Sequence, residues 1–283
     1  MTSVEFATRW RQAAHRPVGP RQVTKRLVRD AAISLASILH PSSSPAFLRG
    51  LYCHYVFDDQ VEAFDRILAR LQRIGTFVDT TRLLEMLEGR APIDGRYFHL
   101  SFDDGFRNNR TNAAPVLLRR GIPGLFFVAS GMLGASPAET RDYCARLNYR
   151  APIEVMRWDD AAWLTREGFE IGSHTRTHAR FSRISADPAR LEEEIAGSKR
   201  EIEQHLGVEC RTISWPIGQR ADADPASLGM ASAAGYRACF GAFRGTIRAG
   251  ITDRFSIPRH HFEAQWPVHH VAFFARGHHE VAP

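Results

Sequence analysis

An α/β fold built on a parallel sheet, open or closed into a barrel, is the class this 283-residue chain predicts. Three observations carry the expectation. Short apolar runs alternate with longer stretches whose apolar residues recur at helical spacing. Gly75, Gly89 and Gly121 each fall where such a stretch stops. The run 125–129 is apolar throughout, as a strand covered on both faces should be. With 44% hydrophobic residues, a chain of this length can bury a sizeable core in one large domain or two small ones.

Taken in order, residues 1–45 read as a basic, helical arm and 46–283 as the folded domain. Pro41-Ser-Ser-Ser-Pro45 closes the arm, in which Leu27, Ala31, Leu35 and Leu39 repeat at helical spacing. A strand is expected at 51–56. A helix over 58–74 follows, carrying Val61, Phe64, Ile67, Leu68 and Leu71 on one face, then a second over 80–87. Strands at 97–102 and 125–129 flank a helix over 113–120, and 134–152 reads as an irregular insertion. Next come a helix over 157–166, a strand at 169–171, and a long helix over 188–206 capped by Asp187 with acidic residues in its first turn. Strands at 211–215 and 236–240 enclose a helix over 226–234. A short strand at 255–258 and a helix over 269–275 end the pattern. In either version of a parallel sheet, chemistry belongs at the C-terminal ends of the strands.

Charge is unevenly placed. Residues 1–50 hold eight basic side chains against Glu5 and Asp30, so the whole formal excess of +6 lies there and the rest of the chain balances. A nucleic-acid partner is therefore not expected of the body. The arm has three readings: a helix packed on the body, a peripheral helix on an anionic membrane surface, or an organellar transit segment. Cys53, Cys144, Cys210 and Cys239 form no CxxC pair, so neither a disulfide scaffold nor a zinc ribbon is indicated. No apolar run approaches the ~18–20 residues that span a bilayer, and Arg9, Arg11 and Arg16 interrupt any secretory core. A cytoplasmic, reducing location is the expectation.

Two constellations carry chemistry. Ser101-Phe102-Asp103-Asp104-Gly105-Phe106 ends an expected strand, and adjacent carboxylates there repel unless a cation or proton intervenes. A plain Asp-Asp-Gly turn is the competing reading. Glu170-Ile-Gly-Ser-His174-Thr-Arg-Thr-His178 follows another strand, with two histidines four apart, able to share one ion from one helical face. If the strands are parallel, Asp104, His174 and His178 gather at one mouth, a recurring ligand set for a hydrolytic divalent metal.

These motifs resemble the polysaccharide deacetylase family, with the likeness running over about residues 50–265. The resemblance implies an irregular (β/α) barrel of about seven strands and removal of N- or O-acetyl groups from glycans. It also implies Asp103 as catalytic base and Asp104, His174 and His178 as ligands of a metal, most often zinc. A third motif, Ile213-Ser214-Trp215-Pro216-Ile217-Gly218, departs from the family's Arg-x-Pro-Tyr-Gly: Ser214 stands in the arginine slot and Ile217 in the tyrosine slot. The backbone N–H of Ile217 remains available as an oxyanion donor, and Trp215 and Pro216 become candidate substrate contacts. Arg259, in Phe255-Ser-Ile-Pro-Arg259-His260-His261, is the candidate to replace the missing arginine beside Asp103. The leading segment Leu51-Tyr52-Cys53-His54-Tyr55-Val56 resembles the first strand of the circularly permuted poly-N-acetylglucosamine deacetylase branch, which makes His54 the candidate general acid.

The implied reaction is metal-dependent hydrolysis of an N-acetyl group on an amino-sugar glycan or its lipid-linked precursor. Hydrolysis of a formamide or small cyclic amide on the same fold is an alternative, as is a sugar-binding relative without turnover. The doublets His260-His261, His269-His270 and His278-His279 are expected to serve separate structural places, and Trp158, Trp163 and Trp266 to pack in the core.

Overall fold

The computed structural model of the protein describes residues 5–13, 28, 30–35 and 44–277. Its centre is a parallel sheet of β1 (Phe47–Cys53), β3 (Arg96–Phe102), β4 (Leu125–Val128), β5 (Glu170–Ser173), β6 (Thr212–Ser214), β7 (Ala238–Phe240) and β8 (Arg259–His261). The strand order is β7-β6-β5-β4-β3-β1-β8, and the two-residue β2 (Thr76–Phe77) pairs with β3 off this path. The two edges are linked by a parallel bridge between Phe240 and Ile257, two residues ahead of β8. The sheet thereby curls into a near-closed barrel, the architecture the family resemblance implies.

The period-two alternation of strands sorts side chains to two sides of that sheet. Along β3, Phe98, Leu100 and Phe102 join an outer core with Phe64, Ile67, Leu68 and Leu71 of α2 (Val61–Gln72). His99 takes the opposite side, where it stacks on Phe240, and Ser101 and Asp103 follow it on the same face. A second cluster of Leu48, Leu125, Phe127, Phe240 and Ile257 includes Leu83, Met86 and Leu87 of α3 (Thr80–Leu87), whose first turn is capped by Asp79 accepting from the Arg82 N–H at 2.8 Å. Helices α4 (Ala114–Arg120) and α6 (Trp158–Arg166) cover the outer face, and Gly121 ends α4 in the left-handed conformation at φ 61°.

Three expectations are corrected. The first strand begins at Phe47 and ends at Cys53, so His54 stands just beyond its C-terminal end rather than within it. The segment expected to be irregular carries helix α5 (Pro137–Arg146), started by a capping box in which Ser136 Oγ accepts from the Glu139 N–H and the Ser136 N–H donates to Glu139. The last strand is Arg259–His261, not 255–258. Ile257 contributes its backbone to the edge closure and its side chain to the inner cluster, leaving the ladder with β1 to the polar residues after it. The expected long helix is present as α8 (Pro188–Leu191), a π segment Glu192–Gly197, and α9 (Ser198–Leu206). A short α7 (Phe181–Ile184), unread in the sequence, precedes it. Helices α10 (Pro225–Ala233) and α11 (Val268–Ala275) complete the outer layer.

The N-terminal residues that are described touch the body. The Ala7 N–H donates to the Pro152 carbonyl, and α1 (Trp10–Ala13) sets Trp10 and Ala13 into a cluster with Tyr55, Phe106 and Tyr143. Residues 30–35 are helical, Ile33 is buried, and Ser34 Oγ lies 2.9 Å from His269 Nε2 on α11. Leu27 and Leu39 of the expected arm helix, its cations Lys25, Arg26 and Arg29, and the doublet His278-His279 lie outside the described residues. No described helix is long and apolar enough to cross a membrane. All four cysteines are buried and unpaired.

Candidate functional site

The C-terminal ends of β3 and β5 converge on one cluster: Asp104, His174 and His178 place one ligand atom each within 4.8 Å of one another. Asp104 Oδ1 lies 3.5 Å from His174 Nε2 and 3.3 Å from His178 Nε2. Asp104 and Gly105 both adopt the left-handed conformation, at φ 71° and 70°, which turns Asp104 out of line with Asp103 and separates their side chains. The two histidines do not share a helix, contrary to the reading of their spacing. They lie on an irregular loop in which Thr175 and His178 are also left-handed. That loop is held from the π segment by buried Glu194, which accepts from the Thr177 N–H at 2.8 Å and from the Thr177 hydroxyl. Buried Tyr143 of α5 donates to the Asp104 carbonyl at 3.2 Å, and its ring meets His178 edge-on.

The donor chemistry of this cluster fits a cation. His174 Nδ1 is 2.7 Å from the Ser214 carbonyl, which only accepts, so Nδ1 carries the proton and neutral His174 turns a lone pair towards Asp104. Lone pair facing carboxylate is repulsive until a proton or metal ion sits between them. Burial pushes His174 down, but the charges of Asp103 and Asp104 override it and its pKa ends above the ordinary value. For His178 burial prevails and the shift is downward. Burial would raise Asp104, yet hydrogen bonds from the two imidazoles, donated when their Nε2 atoms carry a proton, hold it well below the usual carboxylate range. Three nitrogen and oxygen ligands gathered on one side suit a divalent metal with positions left for water and substrate.

Asp103 has a different partner. Arg259 Nη1 and Nη2 grip its two oxygens at 2.7 and 2.8 Å, with both side chains buried. The guanidinium uses its remaining donors on Ser101 Oγ, Ser214 Oγ and the Gly241 carbonyl, and its face lies 4.4 Å from the Tyr52 ring centre. The serine standing in the motif's arginine slot therefore accepts from an arginine that arrives on β8. Gly50 makes the room, since a Cβ there would come within 2.8 Å of Arg259 Cγ. Burial raises the Asp103 carboxyl, but the Arg259 charge more than compensates and holds it ionised below its ordinary value.

These groups open into a cavity of about 1260 Å³ that His54, His261 and Ile217 also line. The imidazoles of His54 and His261 meet edge-on with centres 5.0 Å apart, and Tyr52 lies against both. The doublet His260-His261 gives no sign in the sequence of which imidazole faces the site. The strand register separates the pair: His260 is fully buried, while His261 faces the cavity. Ile217 is half exposed and left-handed at φ 68°, a costly conformation for a β-branched residue. Buried Pro216 precedes it. Trp215, a candidate substrate contact, lines the cavity with very little of its ring exposed. It is 1% exposed, its indole N–H donates to the Gln219 carbonyl, and Phe181 and Phe243 flank it. Trp158, Trp163 and Trp266 pack on the outer core, as expected.

The sequence profile of the polysaccharide deacetylases matches residues 91–239, more than half of the chain and the span that holds Asp103, Asp104, His174 and His178. The chain belongs to the polysaccharide deacetylase family. No curated protein matches it by sequence. Among solved structures, IcaB from Ammonifex degensii is similar over 82% of this chain and 98% of its own, with a TM-score of 0.68 and 23% identity. The Streptococcus pyogenes deacetylase PplD, solved with acetate, gives a TM-score of 0.65 at 16% identity, covering 81% of this chain and 98% of its own. A de-N-acetylase from Aggregatibacter actinomycetemcomitans gives 0.64 at 19% identity over 78% of this chain and 96% of its own. At these identities the likeness is one of fold.

Proposed function

We propose that this family member is a metal-dependent N-deacetylase of an amino-sugar glycan or of its lipid-linked precursor, allied to the circularly permuted poly-N-acetylglucosamine branch. One observation carries the reading: neighbouring carboxylates at the end of β3 are committed to different partners, Asp104 to two imidazoles and Asp103 to a guanidinium. Asp104, His174 and His178 would hold the metal, and zinc is the ion that best matches two imidazoles and a carboxylate with an open position. When bound, such an ion supplies Lewis acidity and lowers the pKa of a water beside it.

The chain's own residues do the rest. Ionised Asp103 takes the proton of the attacking water, and Arg259 fixes its orientation by occupying both oxygens. The Ile217 N–H is the proposed donor to the tetrahedral oxyanion, a contribution of about 3–4 kcal/mol in comparable sites. His54 gives a proton to the departing sugar nitrogen, which cannot leave as a free amide anion. The products are the acetate ion and an amine. Two proteins of this fold, a deacetylase in complex with acetate and a de-N-acetylase, support the same chemistry here.

The test is acetate release across a panel of N-acetylated oligosaccharides and lipid-linked sugars, with and without a chelator. Turnover should vanish on chelation and return on adding back metal, and Asp104→Ala should no longer retain the ion. Turnover indifferent to chelation, or none on any acylated sugar by metal-loaded protein, defeats the proposal.

A further inference from the structure

The cavity walls beyond the metal cluster differ in charge. The wall that follows His178 presents Arg180, Arg183 and Arg190, and no carboxylate from that stretch lines the cavity. Arg180 is braced by buried Asp222, which also accepts from Ser182 Oγ at 2.8 Å. Arg183 and Arg190 are exposed, and among the described residues neither forms an ion pair. Elsewhere the lining is acidic: α5 offers Glu139 and Asp142 with a single cation, Arg146, and Glu263 follows β8.

We infer that the substrate carries an anionic group, a phosphate ester or a carboxylate, within one or two sugar units of the acyl group that is removed, and that Arg183 and Arg190 bind it. The inference rests on the deacetylase reading for its acyl group but not for its anion. Each deacetylation creates an ammonium, so a wall of guanidinium groups opposes a neutral polymer that becomes steadily more cationic. The same wall attracts a chain in which fixed anions offset those amines, and planar guanidinium forks suit both phosphate and carboxylate. The acidic part of the lining suits the product amine, and the arginines suit the anion.

Binding is measured by calorimetry on metal-loaded protein with three probes: chitobiose, chitobiose 1-phosphate, and a disaccharide of N-acetylglucosamine and glucuronate. Anionic probes should bind roughly tenfold more tightly than chitobiose, the advantage shrinking with added salt. The relative affinity of phosphate and uronate tells which anion the wall is built for. Arg183→Gln/Arg190→Gln should erase the advantage, Arg183→Lys/Arg190→Lys should keep part of it, and Arg66→Gln, on the far helix α2, should keep all of it. Equal affinity for the three probes, or an advantage that survives the glutamine pair, overturns the inference. Tighter binding of the anionic probes without acetate release from any sugar would sink the deacetylase reading and leave the anion site standing.

Discussion

Arg259 and Asp103 form a buried pair whose separation would be costly. Arg259→Met leaves a carboxylate in the interior without its counter-charge, and a loss of about 3–5 kcal/mol in unfolding free energy is expected from denaturant titration. The pH dependence has a definite sign. Because the Asp103 pKa lies below its unfolded value, the stability it contributes is present above that unfolded value and is lost as pH falls through the folded one. In the methionine variant the carboxyl titrates upward, so the acid limb of the activity profile moves to higher pH; an unmoved limb would remove Asp103 from the role of base. Burial, aided by the His54 charge, pushes His261 down to about 3, so at neutral pH it is not an imidazolium. His54→Ala should cut amide turnover by about 10²–10⁴ while sparing activated phenyl acetates, and His261→Ala should leave the ratio of the two activities unchanged. Equal losses on both substrates in the His54 variant would take it out of the acid role.

At the scale of elements, α5 links a surface insertion to the metal cluster. Tyr143→Phe keeps the ring against His178 but deletes the hydroxyl that supports the Asp104 carbonyl. Metal affinity, read by competition with a chromogenic chelator, is expected to fall about tenfold with little change in unfolding midpoint; unchanged affinity would make the hydroxyl merely structural. This helix was hard to see because so few of its residues are apolar and only Thr140, Tyr143 and Cys144 are buried. Its Ser-Pro-x-Glu start was nonetheless present as a capping signature. The last strand hides for the opposite reason. Apolar periodicity marks Phe255 and Ile257, whereas the ladder with β1 runs through Arg259, His260 and His261, whose polar side chains are tolerated because two of them face the site.

For the whole molecule, metal binding and folding should be linked. The three ligands come from two strand ends about 70 residues apart in sequence and meet only when β3, β4 and β5 pair, so an ion that binds them stabilises the folded state alone. At a hundredfold excess over its dissociation constant the gain is about 2.7 kcal/mol, seen as a raised unfolding midpoint that Asp104→Ala abolishes. Equal midpoints with and without metal would argue against a site assembled by folding.

Some of this protein is local and therefore readable in one dimension. Adjacent aspartates closed by Gly105, two histidines four apart, strand and helix periods, and a basic leading segment each depend on neighbours within a few residues. Tertiary structure decided which separate pieces complete one another. Arg259 reaches across 156 positions to Asp103, Ser214 vacates space for it, and Tyr143 and Glu194 support ligands from elements of their own. The reason is geometric: β8 pairs beside β1, curling the sheet brings it round to the β7 edge, and an arginine from the opposite end of the chain enters the interior. No local pattern encodes that closure.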